Sequence, residues 1–230
     1  MSAFENVIEN IKTSLSDNFI NIDPLLQKEM PDKDPVNIEE ENLWRLFIKG
    51  DDDSLEKLYR RYFDELYSYG KKWLQDAMLT EDCIQDLFVK LMNNRASLSP
   101  TTSVKYYLFR SYRSVVLDKI KLSNRMPLID EPGEHLFLFD LSPEKKLVDE
   151  QDSAAMKQKL AAALQALTPR QREAIFLRYI QGFSYPQVAE ALELTAKGTY
   201  KLMARAIEAL KEHMLGGIIL AILKITELFC

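Results

Sequence analysis

The 230-residue chain predicts an all-helical fold in two domains, on three observations. It holds only 7 Gly and no glycine-rich loop. Its apolar residues recur at spacings of three and four rather than two, and helix-capping patterns stand ahead of several of those stripes. The length leaves room for two modest hydrophobic cores.

In chain order, Ser2-Ala3-Phe4-Glu5 has capping-box spacing, and Phe4, Ile8, Ile11 and Leu15 share one face of a short amphipathic helix. Pro24, Pro31 and Pro35 then break the pattern, so residues 1–37 read as an appendage. Residues 38–49 read as a helix that Gly50 and the run Asp51-Asp52-Asp53 terminate. The strongest helix covers 54–75, with Leu55, Leu58, Tyr62, Leu66, Tyr69 and Trp73 on one side. Thr80 reads as the cap of the next, with Glu81 and Asp82 at its positive end and Ile84, Leu87, Phe88 and Leu91 facing the core. A loop rich in Ser, Thr and Pro covers 93–102. Residues 103–123 then read as a basic helix, interleaving Tyr106, Tyr107, Phe109 and Tyr112 with Lys105, Arg110, Arg113, Lys119 and Lys121.

These elements make a first domain over 38–125. Residues 126–150 read as a solvated, acidic linker, although Leu136-Phe137-Leu138-Phe139 is apolar enough to dock on protein. A second domain covers 151–214. Thr168-Pro169-Arg170-Gln171 has a capping box with proline at the first helical position, and Ser184-Tyr185-Pro186-Gln187 repeats it ahead of Val188, Ala189 and Leu192. A turn at Glu193-Leu194-Thr195 leads into a longer helix from Ala196. There Thr199, Met203, Ala206 and Leu210 form a stripe for burial, and Lys197, Tyr200, Lys201, Ala204 and Arg205 lie opposite. One anchored face and one face of cations, an aromatic and a small residue is what a recognition helix offers a major groove. An ordinary bundle with a solvated basic face is the alternative.

Net charge is -5, which argues against a free-standing DNA binder, but the charge is segregated. Residues 101–126 carry +5 and 154–214 carry +4, while 1–40 and 127–153 carry -6 each. Two basic modules between acidic stretches fit two separate meetings with phosphate. In the first module the aromatics suit unpaired bases, since stacking contributes about 1–3 kcal/mol per base; a core role for those rings is the alternative.

No catalytic constellation is legible. His135 and His213 are too few and too scattered for a metal centre or triad, so neither metal nor cofactor is expected. Cys83 and Cys230 lack CxxC spacing, which fits a reducing cytoplasm. The acidic N-terminus is not a signal peptide, and the apolar run 216–223 falls short of the ~20 residues that span a bilayer. Residues 215–230 form a hydrophobic tail whose stripe Ile218, Ile222, Ile225 and Phe229 must dock on protein or lie in a membrane surface.

Leu58-Tyr59-Arg60-Arg61-Tyr62, Glu81-Asp82-Cys83-Ile84-Gln85-Asp86-Leu87-Phe88 and Tyr107-Leu108-Phe109-Arg110 with Asp118 together resemble the second conserved region of extracytoplasmic-function sigma factors. Leu167-Thr168-Pro169-Arg170-Gln171-Arg172-Glu173 through Arg205-Ala206 resembles their fourth region, in the same order and spacing. The phrasing Tyr200-Lys201-Leu202 is similar to members from the Bacteroidetes. The resemblance implies a cytoplasmic bacterial initiation subunit without catalytic activity. Its partners would be core RNA polymerase (the beta-prime and beta subunits), promoter DNA and an anti-sigma factor.

It further implies that Asp82, Gln85 and Asp86 contact the beta-prime coiled coil. Tyr106, Phe109, Arg110, Ser111, Arg113, Ser114 and Asp118, with the loop before them, would serve the minus-ten element and a flipped base. Lys197, Tyr200, Lys201, Ala204 and Arg205 would read the minus-thirty-five element. Ser114 replaces the family's usual Asn, Tyr107 its usual Trp, and Glu193 its usual turn Gly, the last implying an altered turn. A helix-turn-helix regulator acting alone and a helical adaptor without nucleic-acid function remain the competing readings.

Overall fold

The computed structural model describes residues 35–122, 137–138 and 160–228, with side chains over 38–122, 137–138 and 160–213. The expectations for 1–34, for most of the linker and for the side chains of the tail lie outside these residues. The chain divides between Leu136 and Phe137 into two compact units. Among the described residues every regular element is helical.

The first unit contains α1 (Pro35–Ile48), α2 (Asp52–Leu74), α3 (Ala77–Asn93), a single 3-10 turn (Arg95–Ser97) and α4 (Val104–Leu122). Gly50, at φ +109°, turns the chain out of α1 in a conformation that only glycine takes freely. Asp51 is extended at the N-cap of α2, its carboxylate accepting from the Ser54 hydroxyl. Asp52 and Asp53 fill the first turn, where the helix dipole favours anions, so α2 begins two residues before the predicted start. Gln75 closes it in the left-handed region.

Thr80 is not a cap. Asp76 takes that place, accepting from the Leu79 amide at 3.0 Å, and α3 starts at Ala77. The Thr80 hydroxyl instead donates back to the Asp76 carbonyl, because the extended Asp76 was available one turn earlier.

Trp44, Phe47, Leu58, Tyr62, Leu66, Tyr69, Ile84, Leu87, Leu108 and Tyr112 make the core of this unit. Packing is close at Gly70. A Cβ there would collide with the Tyr112 hydroxyl and lie 2.8 Å from the Thr80 methyl. The absent side chain lets Tyr112 reach across and donate to the Thr80 carbonyl at 3.2 Å.

The second unit contains helical residues 160–165, α5 (Pro169–Ile175), a π-helical turn (Phe176–Ile180), α6 (Tyr185–Ala191) and α7 (Ala196–Leu228). Both capping boxes form. Gln171 and Thr168 exchange bonds of 3.3 and 2.9 Å, and Gln187 and Ser184 exchange bonds of 3.4 and 2.9 Å. The apolar linker quartet does dock in part: Phe137 is fully buried, its ring 5.6 Å from Phe176.

The π turn was not legible, since one widened turn leaves the apolar pattern readable as an ordinary helix. It closes with the Gln181 amide on the Phe176 carbonyl at 3.0 Å, and Gly182 follows at φ +76°. The backbone of α7 runs on as one helix through the predicted tail boundary, about 50 Å in all. No helix among the described residues is long and apolar enough to cross a membrane.

Candidate nucleic-acid interface

The phase of α7 is as the spacing required. Thr199, Met203, Ala206 and Leu210 are all buried, and α6 and α5 cover them. Lys197, Lys201 and Arg205 are exposed, with Tyr200 and Ala204 half-buried beside them. The three cations stand four residues apart in one row about 12 Å long, close to the width of a major groove. The Thr195 hydroxyl oxygen starts this helix by accepting from the Gly198 amide at 3.1 Å.

Two contacts behind the row were not foreseen. The Tyr200 ring stacks on Tyr185 of α6 at 5.0 Å and 26°, and the Arg178 guanidinium lies 4.9 Å from the centre of that same Tyr185 ring. Burial and the Tyr179 hydroxyl hold the Tyr185 phenol protonated well above the usual tyrosine range. The signal existed in sequence only as an aromatic at the first position of a helix, which packing alone explains equally well.

Glu193 sits in the turn between α6 and α7. Its φ is +54°, the left-handed conformation that glycine would take. The substitution therefore leaves the backbone path available and adds steric strain. Arg170 of α5 braces the same turn, donating to the Leu192 carbonyl at 3.0 Å.

In the first unit, α4 presents Arg110, Ser114 and Asp118 to solvent in one row, with Tyr107 and Ser111 half-buried alongside. Tyr106 and Arg113 flank this row and are half-buried; Arg113 sits 5.8 Å from the Trp73 ring. Phe109 is a correction. It is 1% exposed, with its ring 5.4 Å from Tyr69, so it belongs to the core and offers no face to a base. At position 109 the basic-aromatic interleaving misled, because the helix turns Phe109 toward α2 while Tyr107 points to the rim. Lys105 and Lys119 are also engaged within the unit, with Glu65 at 2.8 Å and Asp86 at 3.8 Å.

The third surface lies on α3. Asp82, Gln85 and Asp86 are exposed, opposite the buried Ile84, Leu87, Phe88 and Leu91. Met78, Val89 and Met92 are exposed on the same side, three large apolar residues that the sequence reading passed over. Their positions off the core stripe were the available signal, and an apolar centre edged by carboxylates suits a protein partner. Burial pushes the Cys83 thiol beneath this face up to about 11. Among the described residues, no group of three His, Cys, Asp or Glu is placed to hold a metal ion.

Comparison with known proteins gives this geometry a family. The sigma-70 region 2 family matches residues 58–126 and the sigma-70 region 4 family matches 157–210, together more than half the chain. The ECF RNA polymerase sigma factor SigX of Bacillus subtilis (strain 168) is 24% identical over 168 residues, covering 71% of this chain and 84% of SigX. The RNA polymerase sigma factor CarQ of Myxococcus xanthus is 24% identical over 167 residues, covering 72% of this chain and 92% of CarQ. Among solved structures, CnrH in complex with the cytosolic domain of CnrY superposes with a TM-score of 0.50 at 20% identity, covering 75% of this chain and 95% of that one, a likeness of fold. With both conserved regions present in order, the chain belongs to the extracytoplasmic-function sigma factors, the initiation subunits that confer promoter recognition on RNA polymerase.

Proposed function

We propose a division of labour among the three surfaces. The α3 face, with Asp82, Gln85 and Asp86 around Val89 and Met92, docks on the beta-prime coiled coil of core polymerase. The α4 row of Arg110, Ser111, Ser114 and Asp118, flanked by Tyr106 and Arg113 and continued by the loop before α4, serves the minus-ten element as it opens. The α7 row of Lys197, Tyr200, Lys201, Ala204 and Arg205 reads the minus-thirty-five duplex. In domain terms, 38–125 opens DNA, 151–214 docks upstream, and 126–150 links them, with 1–37 and 215–230 outside both. The chain acts in the cytoplasm of a bacterium of Bacteroidetes type without chemistry of its own, and an anti-sigma factor is its natural antagonist.

The observation that carries this reading is common to all three surfaces: polar side chains stand exposed on helices whose opposite faces are core. A regulator acting alone would have no use for the α3 face, so that face discriminates. Replacing Gln85 with Ala and Asp86 with Lys should abolish co-elution with core polymerase while the helical circular dichroism stays intact. Asp86→Lys adds repulsion at the interface and also sets two lysines together, since Asp86 faces Lys119. Wild-type affinity in the double variant would remove the α3 assignment.

A further inference from the structure

We propose that Trp44 is a positioning residue for base selection in the minus-ten element, acting by fixing the loop between α3 and α4 from beneath. The inference rests on the reading that this loop and the α4 row together receive the flipped base.

Trp44 lies on α1, ahead of the residues that the region 2 family matches. Its side chain is fully buried. The indole N–H donates to the Ser99 carbonyl at 3.0 Å, across 55 residues of sequence, in the middle of the loop. The same ring packs 5.0 Å from Tyr107 in the first turn of α4 and 5.7 Å from Phe47. One side chain therefore touches both the loop and the start of the helix that would share the pocket with it.

A second anchor acts at the loop's beginning. The Arg95 guanidinium lies 4.8 Å over the Phe47 ring and pairs with the Asp52 carboxylate. Local bonds complete the path: the Ser97 hydroxyl donates to the Asn94 carbonyl at 2.8 Å, and the Ser103 amide donates to the Thr101 hydroxyl at 3.2 Å. Ser97, Ser99 and Thr102 remain exposed. The backbone is thus held on the protein side while these three side chains stay exposed. A reader built on an irregular segment discriminates between bases only if its donors and acceptors are placed before the base arrives. Here the placing force comes from α1 and from Asp52 at the start of α2.

A purely structural Trp44 would support every promoter alike, so the test reads a ratio. Transcription is measured with core polymerase and the full chain on four promoters that differ only at the flipped minus-ten base. Trp44→Phe keeps an aromatic ring and removes the N–H. Leu66→Val loosens the same core away from the loop. Trp44→Phe is expected to shrink the ratio of best to second-best base by roughly two- to tenfold, the worth of one neutral hydrogen bond, while Leu66→Val leaves that ratio unchanged. Phe47→Leu, which removes the ring beneath the Arg95 guanidinium, should move the ratio the same way and serves if Trp44→Phe fails to fold.

An equal loss on all four promoters, or an unchanged ratio, overturns the proposal. Ser97→Ala, Ser99→Ala and Thr102→Ala distinguish the two levels. If they change the ratio and Trp44→Phe does not, the loop reads and Trp44 does not position it. If none of them changes it, the loop is no reader, and the proposal falls with that reading.

Discussion

In the second unit the candidate DNA-contacting side chains stand on one helix, and the stripe Thr199, Met203, Ala206 and Leu210 directly behind them sets their direction. In the first unit they are divided between α4 and a loop, and the groups holding them come from α1 and α2. The proposed upstream reader is therefore a local device and the proposed downstream one a tertiary device. A helix phase carries the first, whereas the second depends on long-range packing of Trp44, Tyr69, Gly70 and Tyr112. Damage to the cores of the two units should have different consequences.

The sharpest contrast is within α7. Met203→Asp places an uncompensated carboxylate in a buried site and should destabilise the second unit by about 3–5 kcal/mol. Its neighbour on the opposite face, Arg205→Ala, should leave the melting temperature unchanged and weaken the upstream element by about 1–3 kcal/mol, roughly tenfold to a hundredfold. Equal melting of both variants by circular dichroism would show the phase of α7 to be wrong.

In the first unit, Gly70→Ala should be the most damaging small substitution, about 3 kcal/mol, because the methyl group displaces the Tyr112 hydroxyl from the Thr80 carbonyl. Trp44 and Trp73, the only two tryptophans, both lie in this unit. Tryptophan fluorescence should therefore report the loss, and a fluorescence transition identical to wild type would contradict it.

Alkaline unfolding separates the units more gently. Burial pushes the Cys83 thiol up to about 11 and the Tyr62 and Tyr112 phenols well above the usual tyrosine range. Folded-state values above the unfolded ones mean that the native state holds protons the unfolded chain has released. The stability is present below about pH 9 and is lost as pH rises toward 11 and beyond. Among the described residues the second unit has one such group, Tyr185. Tryptophan fluorescence should thus shift at lower pH than the signal of the second unit's helices. Cys83→Ala should remove the part of the slope between about pH 9 and 11.

The smallest expected effect is at Glu193. Glycine there should relieve left-handed strain and raise the stability of the second unit by about 0.5–1 kcal/mol. A loss of stability would mean that the Glu193 side chain makes a contact worth more than the strain.

The same division explains what could be read from sequence. Both capping boxes, the α7 stripe and the core face of α3 depend on spacing along a single helix, and all three were legible. Thr80 failed as a cap because Asp76, one turn earlier, competes for the same role. Phe109 failed because interleaving of residue types along a helix does not say which neighbour comes to cover each face. Trp44 and Tyr185 went unnoticed because their roles arise from partners 55 and 15 residues away. Met78, Val89 and Met92 were visible only once the α3 core face was known, as the apolar residues that remained outside it.

Two separate promoter readers on one chain should respond independently to mutation in run-off transcription on a doubly randomised library. Core polymerase with the purified chain would transcribe promoters randomised at the minus-thirty-five and minus-ten elements together. Arg205→Ala and Ser114→Asn would be compared with wild type. Arg205→Ala should relax preference only in the upstream element, and Ser114→Asn should change the favoured base only in the downstream one. Transcription no different from core polymerase alone, or a uniform shift across both elements in either variant, would rule out two separate readers.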